Sequence, residues 1–486
     1  MTTIGYEDSA HLLRRMGFGG SPSEIDDISS RGREGAVDFL LNHEQSDNRE
    51  MEDLLRRSFD FSDPLDFSQF NRGELLRWWF TRMTYTRRPF EEKLTLFWHN
   101  HFATSASKTG DLFIYNQNLT LRSYGLDRFD NLLLKVAQDP AMLLWLDGVT
   151  NIRGKPNENF ARELQELFTM GITDVVTAEP NYTEEDVKEI ARAFTGWKFF
   201  HPRNDANPFN YQFVVNEPEH DNTAKTIYSG TQWAHTGNLD GTDVIGIICA
   251  RRATARYLVK KLFEFFVYPI GSSATDRAII DKFSDVYLNK DHSIKELVRA
   301  IFTSDEFFSQ RARFALVKLP VEIIVGPIRM LGARYNAGAS AREGATNNIL
   351  AAFSIFLGQE LFNPPDVSGW RLNLGWINTS TLLNRFTYAD LLAINRTRDL
   401  NATGLWLSQE QLRSFAKKNS KKTLKKLLSV LGPLEVDAEM FAALRTYLES
   451  DDQGNKIGFG LDDLTLDKKV RGLIHLIMCL SEFQLN

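Results

Sequence analysis

PFEEKLTLFWHNHF (Pro89 to Phe102) decides how the chain is read, because its apolar residues recur at helical spacing. Proline suits a first helical turn, Glu91 and Glu92 favour the positive end of the helix dipole, and Phe90, Leu94, Phe97, Trp98 and His101 share one face. The stretch closes on two histidines set among aromatic residues, where a plain core needs neither. If residues 90–102 form one continuous helix, His101 faces the core and His99 lies nearly opposite, so the two cannot share a metal. If the helix ends near Trp98, an extended i, i+2 arrangement puts both on one side.

A second stretch, NENFARELQELF (Asn157 to Phe168), has the same character. Asn157 reads as its cap, Phe160, Leu164, Leu167 and Phe168 as its apolar stripe, and Gly171 as its stop. On an ideal α-helix Asn159, Glu163 and Glu166 fall within a narrow arc beside that stripe, with Arg162 adjacent. Thr183 and Asp186 form a relative of the capping box and open a further helix through Ile190, Ala191 and Phe194.

Outward from these motifs the chain divides into four segments. Residues 1–196 are helical. Residues 197–243 lose the helical period and carry strand-like pieces at Trp197 to Phe200, Tyr211 to Val215 and Lys225 to Tyr228. Helical patterning returns over 244–390, interrupted by an Ala/Gly-rich loop at 334–345 and a Pro/Gly/Trp corner, NPPDVSGW (Asn363 to Trp370). In that corner Trp370 and Trp376 read as packing residues. Residues 391–486 form a last helical region whose lysine run, Lys417 to Lys426, reads as a solvated face. The expected fold is mainly α, a multi-helix, bundle-like array with a small β insertion.

Composition narrows the chemistry. A length of 486 residues, 43% hydrophobic with 35 phenylalanines, supports several buried helix interfaces, and a net charge of −6 argues against a nucleic-acid partner. Two cysteines, Cys249 and Cys479, build neither a disulfide framework nor a thiolate zinc site, so a metal would rely on His, Asp and Glu. The longest apolar runs are too short to span a bilayer, and MTTIGYED (Met1 to Asp8) lacks a secretory pattern. The expected location is cytoplasmic, or periplasmic or exported if a leader was removed or a partner carries the chain across.

Nitrogen and carboxylate oxygen are the donors a divalent metal takes. The expected ligands are His101, His99, Glu163, Glu166 and His220, with Glu166, Asp221 and Arg162 as catalytic groups. His220 and Asp221 stand together on the loop after the strand-like pieces, and His201 and His235 in the same region are alternative donors. The plain alternatives are a hydrogen-bonded core histidine at 101, a surface one at 99, an exposed acidic shoulder paired with Arg162, and an Asx-type turn at Asp221. No nucleophile elbow, phosphate-binding glycine loop, dinucleotide fingerprint or H-E-x-x-H helix is present.

The order of motifs adds a resemblance. AHLLRRMGFG (Ala10 to Gly19), FWHNHF (Phe97 to Phe102), DPAML (Asp139 to Leu143), KPNENFAREL (Lys155 to Leu164), YTEEDV (Tyr182 to Val187) and AFTGW (Ala193 to Trp197) follow one another. His220 with Asp221, ATAR (Ala253 to Arg256) and FNPPDVSGW (Phe362 to Trp370) complete the series. Over about residues 9–390 the chain resembles the bacterial family called domain of unknown function 1800. That resemblance implies a largely helical protein, often exported and often encoded beside a partner resembling the alkaline phosphatase and sulfatase superfamily. It supplies no catalytic residues.

The sequence therefore leads to a metal-dependent enzyme, hydrolytic because no redox cofactor motif appears, with Zn, Mn or Fe, or alternatively Cu, as its metal. A metal-dependent oxidoreductase and a non-catalytic helical scaffold, serving as maturation partner for another protein, are the other readings.

Overall fold

Helix Pro89–His101 runs unbroken in the computed structural model, with proline in its first turn and both glutamates beside it. The structure describes residues 4–59, 71–203, 205, 207, 210–335, 349–394 and 405–486. Phe90, Leu94, Phe97 and Trp98 are buried. So is Glu92, whose carboxylate accepts from Trp79 Nε1 at 2.9 Å, Arg82 Nε at 3.0 Å and Arg122 at 2.6 Å. Those bonds tie helices Arg72–Tyr85 and Asp111–Tyr124 to the helix that bears the histidines.

The chain is mainly helical, and its sheets, among the described residues, are three two-stranded antiparallel pairs. Trp197–Phe200 pairs with Gln212–Val215, Trp197 opposite Val215. Lys225–Ile227 pairs with His235–Gly237, a strand that the periodicity does not announce. Arg334–Tyr335 pairs with Leu405–Trp406; the rest of the expected 334–345 loop lies outside the described residues.

Helices Arg252–Phe266, Ala274–Asn289 and Ile294–Thr303 pack in succession, and the last rests on Gly32–Leu41. One buried apolar cluster draws residues from all four sequence segments, from Leu12 through Phe97, Ile227 and Leu331 to Ile477. Helix Arg471–Met478 joins it by packing on Thr379–Ile394. Lys417, Lys418, Lys421, Lys422 and Lys425 are exposed, and Trp370 and Trp376 are buried. Among the described residues no helix is long and apolar enough to cross a membrane.

Candidate functional site

Because helix Pro89–His101 is continuous, its two histidines part. His101 is buried among Phe97, Trp98, Phe102 and Phe129, and its Nε2 lies 2.9 Å from the Phe168 carbonyl oxygen. A carbonyl only accepts, so Nε2 carries the proton, and the buried Nδ1 has no partner among the described residues. Burial, with Lys261 adding to it against the Phe168 bond, takes the imidazole down to about 3. His99 faces the other way. Its Nε2 accepts the Phe362 amide at 3.0 Å, and Trp79, Phe362 and Trp370 surround the ring. Burial takes it, too, to about 3. The shared-site arrangement of His99 and His101 is therefore excluded by helix geometry, and the expected surface histidine at 99 is instead a core one.

The second motif departs from its expected form. The Asn157 side chain accepts from Asn159 N at 3.0 Å, but the α-helix covers only Asn159–Glu163 and continues as a π-helical turn, Leu164–Thr169. Thr169 Oγ1 donates back five residues to the Leu164 carbonyl at 2.6 Å, and Gly171, at φ +75°, ends the turn as expected. The wider turn rephases everything after Glu163, so the ideal α-helical arc through Asn159, Glu163 and Glu166 does not hold. Turns of this kind are rare and often stand at functional sites. Here the turn also presents the Phe168 carbonyl to His101, joining the two motifs.

Arg162 is committed elsewhere, to Glu184 through two bonds of 2.8 Å and to Glu158 at 3.2 Å. Glu163 and Glu166 are half-buried, and neither forms an ion pair among the described residues. Burial and the neighbouring Glu166 raise Glu163 above its usual range against the pull of Arg162. Tyr182 donates to Glu166 at 3.3 Å; burial and that carboxylate push the phenol up to about 12.

Three residues on helix Arg252–Phe266 belong beside this turn and were missed in the sequence. Tyr257, Lys261 and Glu264 are spaced i, i+4, i+7 and so share a face. The Tyr257 ring lies against Gly171, where a Cβ would come within 3.0 Å of it. Burial, Glu166 and Glu264 push Tyr257 up to about 12. Lys261 Nζ is 5.7 Å from that ring and is lowered by burial, while burial raises Glu264. The available signal was two polar residues and a tyrosine at helical spacing inside ARYLVKKLFEFF, which apolar periodicity alone passes over.

The loop at His220 and Asp221 is anchored by other groups. His220 Nδ1 donates to the Thr195 carbonyl at 2.7 Å, and the Asp221 amide donates to Thr195 Oγ1 at 2.8 Å. Asp221 receives Arg192 Nε at 2.8 Å and the Thr223 amide at 2.9 Å; although burial opposes them, these bonds hold its carboxyl well below the usual range. His201 bonds the Asn207 carbonyl and His235 the Trp233 carbonyl, both at the surface. Among the described residues no three His, Cys, Asp or Glu side chains form a metal-ligand group.

A further buried acid sits in the motif at Asp139, which caps helix Pro140–Trp145 by accepting from Ala141 N at 2.9 Å and also accepts from Gln117 at 3.3 Å. Burial outweighs those bonds and raises its carboxyl to about 7.

No curated protein and no solved structure matches the chain. A family model does match, and over more than the stretch from 9 to 390 that the motifs mark out: it covers residues 11–485, including the C-terminal region with no motif of its own. The chain thus belongs to the family described as "Protein of unknown function (DUF1800)".

Proposed function

We propose that the chain is a hydrolytic enzyme whose reacting centre is the carboxylate pair Glu163 and Glu166, with Tyr182, Tyr257 and Lys261 beside it. The observation that carries this reading is the pair itself. Two half-buried carboxylates one turn apart repel each other, and neither forms an ion pair among the described residues, the weaker pull of Arg162 on Glu163 not overcoming burial and Glu166. A shared proton or a bound divalent cation relieves such an arrangement.

With His99 Nε2 accepting the Phe362 amide, and His101 Nε2 and His220 Nδ1 each bonded to a backbone carbonyl, we take the donors at the pair to be oxygens. Oxygen donors favour Mn²⁺ or Mg²⁺ over the Zn²⁺ or Cu²⁺ that histidines would attract. A cation there would lower the pKa of bound water. Glu163, its carboxyl raised above the usual range by burial and Glu166, is placed to act as the acid and base, and Tyr257 and Lys261 to bind an oxyanion.

The test is Mn²⁺ titration followed by electron paramagnetic resonance on protein purified without a metal-affinity tag. One saturable site in wild type, lost in Glu163→Gln and Glu166→Gln with helix content unchanged, supports the reading. Equal binding in the double variant rules it out.

A second reading, a non-catalytic helical scaffold, is favoured by the hydrogen bonds of the histidines. His99, His101 and His220 each bond a backbone group, which is what a structural network requires. Under this reading the partner is the one the resemblance implies, from the alkaline phosphatase and sulfatase superfamily. Failure of wild type to bind Mn²⁺, together with capture of such a partner by both wild type and Glu163→Gln, would select it.

A further inference from the structure

Helix Ser420–Val430 carries the lysine run on the outside of the C-terminal region. Thr423, Leu424, Leu427 and Leu428 are buried, and the helix packs on Gln409–Phe415, Ala438–Leu448 and Arg471–Met478. Between those inward positions stand Lys421, Lys422 and Lys425, exposed, and Lys426, half-buried. Lys417 and Lys418 lie exposed beside the first turn, where the Lys417 backbone exchanges hydrogen bonds with the Thr423 hydroxyl at 2.9 and 3.1 Å. Six lysines thus fall within residues 417–426 of a chain whose net charge is −6.

This arrangement works against the helix. Its first turn holds two lysines and no acid, although the dipole favours negative charge there. Lys421 with Lys425 and Lys422 with Lys426 are like charges one turn apart, and such pairs destabilise a helix. No carboxylate offsets them, since none of the six lysines forms an ion pair among the described residues. Charged groups on the packed helices are engaged with other partners: Glu449 accepts from Ser420 and from Arg445 Nε at 2.9 Å, Arg413 pairs with Asp463, and Arg471 pairs with Asp467 at 2.8 Å. Glu410 and Glu439 are exposed and pair with no lysine among the described residues.

The chemistry of the face selects its partner. Protein interfaces are poor in lysine and are anchored by aromatic or aliphatic side chains, and none is exposed between Lys417 and Lys426. Discrete phosphates and bases are gripped by arginine forks and stacked on aromatic rings, which this run also lacks. Lysine clusters of this density are drawn instead to the surface potential of anionic lipid, without apolar insertion.

We infer that helix Ser420–Val430, with Lys417 and Lys418, docks the chain peripherally on a bilayer bearing anionic phospholipid headgroups. The lysine ammonium groups face the headgroups, and the attraction is electrostatic, so salt screens it. Docking through this face does not require the carboxylate pair to be catalytic.

Co-sedimentation of the full chain with vesicles is the test. Vesicles of phosphatidylcholine with about one third phosphatidylglycerol are expected to bind wild type at about 0.1 M salt and to release it at about 1 M, where the Debye length has fallen from about 10 Å to about 3 Å. Phosphatidylcholine alone is expected to leave the protein in solution. The triple variant Lys417→Gln, Lys421→Gln, Lys425→Gln should bind about 100-fold more weakly, each lysine near an anionic surface contributing about fivefold. The control Lys135→Gln, Lys188→Gln, Lys290→Gln removes the same charge from exposed positions elsewhere and is expected to bind as wild type does. No binding to the anionic vesicles, equal binding to both kinds of vesicle, or equal binding by the two triple variants overturns the inference. Retention of polyuridylate by wild type that leaves the vesicles unbound overturns it as well, and would make the face one for nucleic acid.

Discussion

His101 donates from Nε2 to the carbonyl oxygen of Phe168 across 2.9 Å, joining the histidine helix to the π turn that follows Glu163. The bond settles the tautomer of the histidine and gives a buried carbonyl its partner. His101→Phe keeps an aromatic ring in the cluster but leaves that oxygen unpaired, and is expected to cost about 1–3 kcal/mol. His101→Ala adds a cavity and is expected to cost about 2–5 kcal/mol. Urea denaturation measures both. A His101→Phe protein as stable as wild type would show that the turn holds without this bond.

Stability should fall on mild acidification. His99 and His101 are held near 3 in the folded protein, and His11 well below its usual value by burial and by Arg15 and Arg14, whereas an unfolded histidine titrates at about 6.5. The unfolded state thus binds more protons between those values. The stabilisation is complete above about pH 6.5 and is lost as pH falls toward 3. For His99 and His101 the loss from pH 7 to pH 5 is of order 2 kcal/mol each. Denaturation midpoints at pH 5, 6 and 7 check it, and a flat profile would contradict neutral burial.

Asp139 works in the opposite sense. Its folded carboxyl is raised to about 7, so its contribution is fully present below the unfolded value of about 3.9 and is lost as pH rises through 7. Asp139→Asn can still accept at the helix cap and removes the buried charge. The variant is expected to exceed wild type in stability at pH 8, and to lose that advantage near pH 4. If it is less stable at pH 8, the carboxylate is compensated in a way that burial and its hydrogen-bonding neighbours do not describe.

Local signals in the sequence located several elements. Pro89 with Glu91 and Glu92 marks a real helix start, Thr183 and Asp186 form a reciprocal capping box, and Gly171 ends its helix. Two features escaped for physical reasons. LQELFT fits an α-helical period as well as a π turn, because six residues are too few to separate the two spacings. The partners of the histidines lie far away in sequence, with Phe362 at a separation of 263 from His99, so burial chooses them and no motif announces them. The C-terminal region carries no motif that marks it in the sequence, yet it packs into the core, with Leu473, Ile474 and Ile477 fully buried.

Glu163→Gln separates function from stability. At neutral pH the folded protein carries a carboxylate disfavoured by burial and by Glu166, so removing its charge is expected to leave stability unchanged or raise it by less than about 1 kcal/mol, solvent screening being substantial at a half-exposed group. Because the folded pKa is raised, any gain should vanish as pH falls below the unfolded value of about 4.3. A structural carboxylate behaves otherwise: its loss destabilises at pH 7. Parallel melts of wild type and Glu163→Gln at pH 7 and pH 4 therefore distinguish a site residue from a scaffold residue.

Gly369 is the position at which the Pro/Gly/Trp corner meets the histidine helix. Its φ is +79°, and a Cβ there would lie 2.4 Å from Asn100 Oδ1 and 2.5 Å from the Asn100 carbonyl oxygen. The same Asn100 Oδ1 accepts the Trp370 amide at 2.7 Å, and Trp370 in turn packs against His99. Gly369→Ala must therefore either distort a left-handed backbone or lift the corner from the helix, since the backbone carbonyl cannot move aside as a side chain would. The backbone conformation alone costs of order 1–3 kcal/mol, and the clash adds to it. Lifting the corner also withdraws Trp370 from the His99 ring. The expected signature is a lowered Tm together with a change in tryptophan fluorescence, and hydrogen exchange at the Phe362 amide should accelerate. Gly154→Ala is the control: its φ is similarly positive at +81°, but nothing lies within 4 Å of its Cβ position, so it bears the backbone term alone. Equal losses in the two variants would mean that contact with Asn100 contributes nothing to seating the corner.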